Sequence, residues 1–83
     1  MSREEIAKMI ERSPFIPFRI YVSNQAFYDV MRPQSALVSN RTTVIVVPRK
    51  TTPENFDEPI LIDNMHITRL EPLIEIIAST SPV

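Results

Sequence analysis

The chain has 83 residues, a net charge of −1, eight prolines, no cysteine and no glycine. A chain of this length forms one domain and buries only about 60% of its unfolded surface, so we expect oligomerisation or partner binding to add stability. Without cysteine, disulfides and thiolate chemistry are excluded, and without glycine, phosphate-cradling nucleotide loops are excluded. We expect a cytoplasmic protein with no cofactor and no membrane contact, because no segment reads as a leader or a membrane span.

Charge is unevenly distributed along the sequence. Residues 1–50 carry a net charge of +4, and residues 51–83 carry −5. Such asymmetry is typical of two halves that pair within or between subunits, and it is also compatible with a basic face for nucleic acid.

The first predicted element is a helix over residues 3–12. Ser2 and Glu5 form a capping-box pattern, and Ile6, Met9 and Ile10 follow with the spacing of one apolar stripe. Pro14 ends the helix, because the residue before a proline is pushed out of the helical region. A helix this short gains its stability by packing on a sheet.

From Phe18 the apolar positions alternate with period two, which predicts a hairpin with its turn at residues 24–25. The expected inward residues are Phe18, Ile20, Val22, Ala26, Tyr28 and Val30. Phe27, Asp29 and Met31 are expected to point outward. With no glycine in the chain, any positive φ is expected at an asparagine, namely at Asn24, Asn40, Asn55 or Asn64.

Beyond Pro33 the sequence predicts a corner over residues 34–40, a buried central strand over residues 42–47 and an exposed loop over residues 48–59. Residues 60–62 and 65–73 complete the sheet, with a possible turn at residues 63–64. The apolar tail, residues 73–83, reads equally as strand or as helix. The predicted fold is a single α+β domain, with a helix followed by a five-stranded antiparallel roll or small barrel over residues 17–73.

Four segments carry a resemblance to a family of small uncharacterised bacterial proteins. They are residues 13–20 (SPFIPFRI), residues 23–24, residues 28–33 and residues 66–71 (HITRLE). The chain departs from that family's pattern at Asn24-Gln25, where the family prefers Asp-Gly. The resemblance implies a helix followed by SH3-like strands and implies no activity. In layout the chain is also similar to Sm-like RNA-binding barrels, although it lacks the glycine of their second strand.

Catalytic and metal chemistry find little support in the sequence. His66 is the only histidine, so a multi-histidine metal site is excluded. A pair of His66 with Asp63 would be the core of a hydrolase, but it lacks a nucleophile of known geometry. The acidic residues Asp57, Glu58 and Asp63 do not have the alternating spacing of a calcium loop. We therefore expect a protein that is not an enzyme and binds no metal.

The expected function is protein interaction, with a second copy of the chain or another protein as partner. Aromatic and methionine side chains supply the anchors of many interfaces, and an apolar tail can add to a sheet edge. A small RNA- or DNA-binding protein is the alternative, because aromatic rings between arginines suit base stacking and phosphate contact; it would use Arg49 and Lys50 as well. The candidate interaction surface consists of Arg19, Tyr21, Phe27, Met31, Arg32, Ile74, Ile76 and Ile77.

Overall fold

The computed structural model of the chain describes residues 1–48 and 57–73, and it has an α+β architecture. One helix is followed by six strands, and two 3-10 turns lie at Pro33–Ser35 and Asn64–His66. The helix and strands are α1 (Arg3–Glu11), β1 (Phe18–Val22), β2 (Phe27–Val30), β3 (Ala36–Val38), β4 (Thr42–Pro48), β5 (Asp57–Asp63) and β6 (Ile67–Pro72).

The N-terminal helix agrees with its prediction to within one residue. The Ser2 side chain caps it by accepting a hydrogen bond from the backbone N–H of Glu5 at 3.2 Å. Ile6 is fully buried, and Met9 and Ile10 pack against the core. Because the helix presents this stripe to the sheets, it closes one side of the core beside β3.

The strands form two antiparallel sheets of three strands each. The first sheet has the order β2-β1-β6, and the second sheet has the order β3-β4-β5. Both contribute to one core, in which the largest buried side chains are Phe18, Ile6, Ile20, Ile45 and Val30. The predicted alternation of the hairpin is confirmed, since residues 18, 20, 22 and 30 are buried whereas Phe27 and Met31 are exposed.

The predicted five-stranded roll or barrel is wrong in strand number and in closure. Residues 36–38, predicted as part of a corner, form the extra strand β3 after the 3-10 turn that begins at Pro33. Proline fixes φ and lacks an N–H, so it separates β2 from β3 and places them in different sheets. The described strands do not close into a barrel, because β2 and β5 each pair on one side only.

The β-branched run of β4 is central in its sheet, as predicted, but it is not buried on both faces. Thr43 and Ile45 are fully buried, whereas Val44 is half-buried and Val46 is exposed. The predicted loop over residues 48–59 also begins too early and ends too late, because β4 reaches Pro48 and β5 starts at Asp57. Its remaining part, residues 49–56, lies outside the described residues, as does the tail over residues 74–83.

Gln25 takes the positive φ of the first hairpin, with φ at 72°, so the expectation of an asparagine at such a position is wrong. The Val22 carbonyl accepts from the Gln25 N–H at 3.1 Å, and the Val22 N–H donates to the Ala26 carbonyl at 3.0 Å. This is the pattern of a three-residue hairpin loop with a left-handed last residue. Asn24 instead stabilises the turn through its side-chain oxygen, which accepts from the Ala26 N–H at 3.1 Å.

Asn64 is the main polar group of the interior, with 4% of its surface exposed. Its side-chain oxygen accepts from the Thr43 hydroxyl at 2.6 Å, and its amide nitrogen donates to the Ser39 carbonyl at 2.9 Å. Its backbone N–H donates to the Arg41 carbonyl, and its carbonyl accepts from the Met1 amine. Asn64 therefore ties the β3–β4 connection to the turn that leads into β6.

Within the part of the chain described here, no helix is long and apolar enough to cross a membrane.

Candidate functional site

The outer face of the first sheet carries six residues in two cross-strand rows. Register places Arg19 opposite both Asp29 and Glu71, and Tyr21 opposite both Phe27 and Arg69. We call this set the aromatic–arginine ladder; it comprises Arg19, Tyr21, Phe27, Asp29, Arg69 and Glu71. Three of its members were predicted as interaction residues, and the structure brings those three together.

Both arginines of the ladder are held by a carboxylate and by a ring. The Arg19 guanidinium donates to the two carboxylate oxygens of Asp29 at 2.7 and 3.2 Å and lies 4.1 Å from the centre of the Phe27 ring. The Asp29 hydrogen bond raises the pKa of Arg19, which stays charged at any physiological pH. Such bidentate and stacked contacts fix the guanidinium in place.

Arg69 repeats this arrangement on the neighbouring strand. It donates to Glu71 at 2.9 Å and lies 4.1 Å from the centre of the Tyr21 ring. The Tyr21 and Phe27 rings are themselves 6.2 Å apart. The ladder is therefore neutral in charge and contains its own partners, with the Arg19 side chain 26% exposed and the Arg69 side chain 61% exposed.

Of the other predicted surface residues, Met31 and Arg32 are described by the structure and do not join the ladder. Met31 follows the end of β2 and is exposed, and Arg32 precedes the first 3-10 turn. Ile74, Ile76 and Ile77, like Arg49 and Lys50, lie outside the described residues. The structure thus places three of the eight predicted residues in one cluster and leaves the three tail residues untested.

The outer face of the second sheet is aliphatic. Register puts Leu37 of β3, Val44 of β4 and Leu61 of β5 side by side on this face, and we call them the aliphatic row. Leu37 is 71% exposed and Leu61 is 68% exposed. Val46 and Pro59 form a second apolar cross-strand pair on one side of the row, and Thr42 and Asp63 form a polar pair on the other side. Large exposed apolar surfaces of this kind are typical of interaction sites.

A groove of about 330 Å³ lies between the first hairpin and the edge of β5 that pairs with no other described strand. Its walls include Tyr28 of β2 and Ile60 and Ile62 of β5. Ser23 and His66 stand at one end, with the Ser23 hydroxyl 3.2 Å from Nδ1 of His66. The backbone fixes this pair, because the Ser23 N–H donates to the His66 carbonyl at 2.9 Å.

The geometry gives the hydrolase hypothesis no support. Asp63 uses its carboxylate to accept from the Met65 N–H at 3.1 Å, and over residues 1–48 and 57–73 it makes no hydrogen bond to His66. Among the described residues, no hydrogen-bonded carboxylate orients the ring of the exposed histidine toward Ser23. The same residue ranges contain no group of three or more acidic or histidine side chains that could hold a metal ion.

Sequence reasoning missed the aliphatic row and half of the ladder. Leu37 and Leu61 stand far apart in the sequence, and only the pairing of β3 and β5 with β4 brings them together. Asp29, Arg69 and Glu71 were similarly separated. The HITRLE motif does contain Arg69 and Glu71. Because these residues are two positions apart on a predicted strand, their side chains share one face, and this spacing was the available signal.

The chain matches no protein-family model, no curated protein and no solved structure in three separate comparisons. The resemblance to the small bacterial family therefore remains a prediction that rests on the motifs quoted above.

Proposed function

We propose that this chain is a non-catalytic protein-interaction module that associates with a second copy through the outer face of its second sheet. The observation that carries the proposal is the aliphatic row, in which two leucines are more than two-thirds exposed on a sheet that already has a buried face. Transfer of such side chains out of water is favourable by roughly 25 cal/mol per Å². The cytoplasm is the proposed location, because a cysteine-free chain needs no oxidising compartment.

A second copy of the chain fits this face because the aliphatic row has no charged side chain. The aliphatic row and its neighbours Val46 and Pro59 carry no charged group, so a charged partner surface would lose hydration without gaining a counter-charge. A second apolar face avoids that cost, and a two-fold axis brings the same patch of both subunits together. The two sheets would then pack face to face at a separation of about 10 Å.

The size of the face sets the expected strength of association. Strands β4 and β5 have seven residues each and β3 has three, so at about 3.3 Å per residue and about 4.8 Å between strands the face covers roughly 270 Å². Stable dimers bury about 800 Å² per partner. The row alone therefore predicts a weak dimer, with a dissociation constant on the order of 0.1–1 mM.

Sedimentation velocity over about 10 µM to 1 mM tests this proposal. The weight-average sedimentation coefficient should rise with concentration, and Leu37→Lys should weaken association about tenfold or more, because it buries a charge against an apolar face. Asn40→Lys adds the same charge at an exposed turn and is the matched control. A wild-type chain that stays monomeric throughout, or a Leu37→Lys variant that associates like the wild type, would contradict the proposal.

Nucleic-acid binding is the weaker proposal. Its main candidate arginine, Arg19, is already engaged by Asp29 and Phe27, and Arg69 is engaged by Glu71 and Tyr21. A phosphate would have to compete with these carboxylates for the same donors.

A further inference from the structure

We propose that the groove beside β5 binds an extended basic peptide segment, which adds to the free edge of β5 as a fourth strand of the second sheet. The site adjoins the outer face used for self-association at Leu61, which belongs to the aliphatic row and also lines the groove. It is formed by the edge of β5, by Tyr28 of β2 and by the Ser23–His66 pair.

The backbone of β5 has hydrogen-bonding groups directed into this groove. Pro59 lies opposite Val46 and has no N–H, so this pair belongs to the non-hydrogen-bonded positions of the β4–β5 ladder. Leu61 is two residues further along and has the same orientation. Its N–H and carbonyl therefore point away from β4, toward the groove, where no described strand pairs with them.

Pro59 also limits how a peptide can bind. With no N–H at residue 59, a fourth strand can form a continuous ladder only over residues 61–63, next to the groove. The groove volume of about 330 Å³ is at the low end for ligand sites, so two or three peptide residues would fill it. Alternate side chains of the peptide would face Tyr28, Ile60 and Ile62, which calls for apolar residues at those positions.

Charge complementarity selects a basic peptide. Asp63 is the charged group among the described lining residues, and the lining contains no lysine or arginine. An extended segment that alternates apolar residues with lysine or arginine would meet both the apolar wall and the Asp63 carboxylate.

An NMR titration with two synthetic peptides tests the inference. The probe is the acetylated and amidated octapeptide KVKVTVKV, and the control peptide has glutamate in place of each lysine. The titration uses the Leu37→Lys variant, so that self-association through the aliphatic row does not interfere and failure of the proposed function would not alter the result. Saturable amide shifts at Leu61 and Asp63 with the lysine peptide, and none with the glutamate peptide, are expected.

Edge variants distinguish backbone pairing from nonspecific attraction. Leu61→Pro removes the outward N–H without removing a bond to β4, and it should weaken peptide binding at least about tenfold, whereas Leu61→Ala keeps the N–H and should change binding by less than about threefold. If Leu61→Pro fails to fold, Asp63→Asn replaces it as the test. This variant keeps an oxygen that accepts from the Met65 N–H but removes the negative charge, and it should weaken peptide binding about fivefold.

Three outcomes would overturn the inference. They are equal binding of the glutamate peptide, equal affinities of the proline and alanine variants, and concentration-dependent shifts of the Leu61 and Asp63 amides in the Leu37→Lys variant without peptide. The last outcome would assign the groove to a second copy of the chain.

Discussion

The outer faces of the two sheets differ in what their exposed side chains already contact. On the first sheet, Phe27 is half exposed, yet it lies under the Arg19 guanidinium and beside Tyr21. On the second sheet, Leu37 and Leu61 are more exposed, and their cross-strand neighbour on that face is the aliphatic Val44. Aromatic and charged residues were the basis for predicting an interaction surface from the sequence. In the structure, burial by a partner would gain the most free energy at the exposed aliphatic residues.

The side-chain chemistry of the two faces explains this difference. The ladder is built from three adjacent antiparallel strands that place opposite charges and rings across from one another, so its contacts form within one subunit. The aliphatic row has no such chemistry, since dispersion and burial are its means of gaining free energy.

Substitution of Asn64 is expected to have the largest effect, because this residue connects the second sheet to the turn that leads into β6 of the first sheet. Asn64→Ala would leave the Thr43 hydroxyl and the Ser39 carbonyl without their partner, which should lower the free energy of unfolding by about 3 kcal/mol. Urea unfolding followed by circular dichroism measures this loss. Asn40→Ala, at an exposed position, should change stability by less than about 0.5 kcal/mol. Equal stabilities of the two variants would show that the network does not secure the second sheet.

The hairpin turn allows a test of the register on which the ladder depends. Gln25 has a φ of 72°, and a left-handed residue with a Cβ costs roughly 1–2 kcal/mol. Glycine removes that cost and adds about 0.5–1 kcal/mol of unfolded-chain entropy, so Gln25→Gly should stabilise the fold by about 0.5–1 kcal/mol. Gln25→Ala keeps the strain and should change little. A less stable glycine variant, measured by the same urea unfolding, would argue against this turn.

The smallest expected effect concerns nucleic acid. If the carboxylates occupy the arginines of the ladder, the wild-type chain should show no salt-dependent retention on immobilised single-stranded RNA. The double variant Asp29→Asn with Glu71→Gln releases both guanidinium groups and adds two units of positive charge, so weak retention should appear at low salt. Retention of the wild type that equals that of the double variant would make the ladder a nucleic-acid site and reverse the comparison of the two faces.

The sequence predicted local structure better than it predicted surfaces. The capped helix and the alternation of residues 18–30 follow from spacing and turn chemistry, which act over a few residues. The run over residues 42–47 misled, because valine or isoleucine occupies every position from 44 to 47 and the pattern does not show which face is exposed. Strand β3 was missed because three residues after a proline turn carry too little pattern. Leu37, Val44 and Leu61 became one site only through cross-strand register, which no local pattern specifies.

The most direct test of self-association through the aliphatic row is an isotope-filtered NOE experiment on a mixture of ¹³C-labelled and unlabelled chain at about 1 mM, near the expected dissociation constant. The account predicts intermolecular contacts among the methyl groups of Leu37, Val44 and Leu61, and it predicts their loss in the Leu37→Lys variant. Intermolecular contacts from the Tyr21 and Phe27 rings instead would place the interface on the first sheet and contradict it.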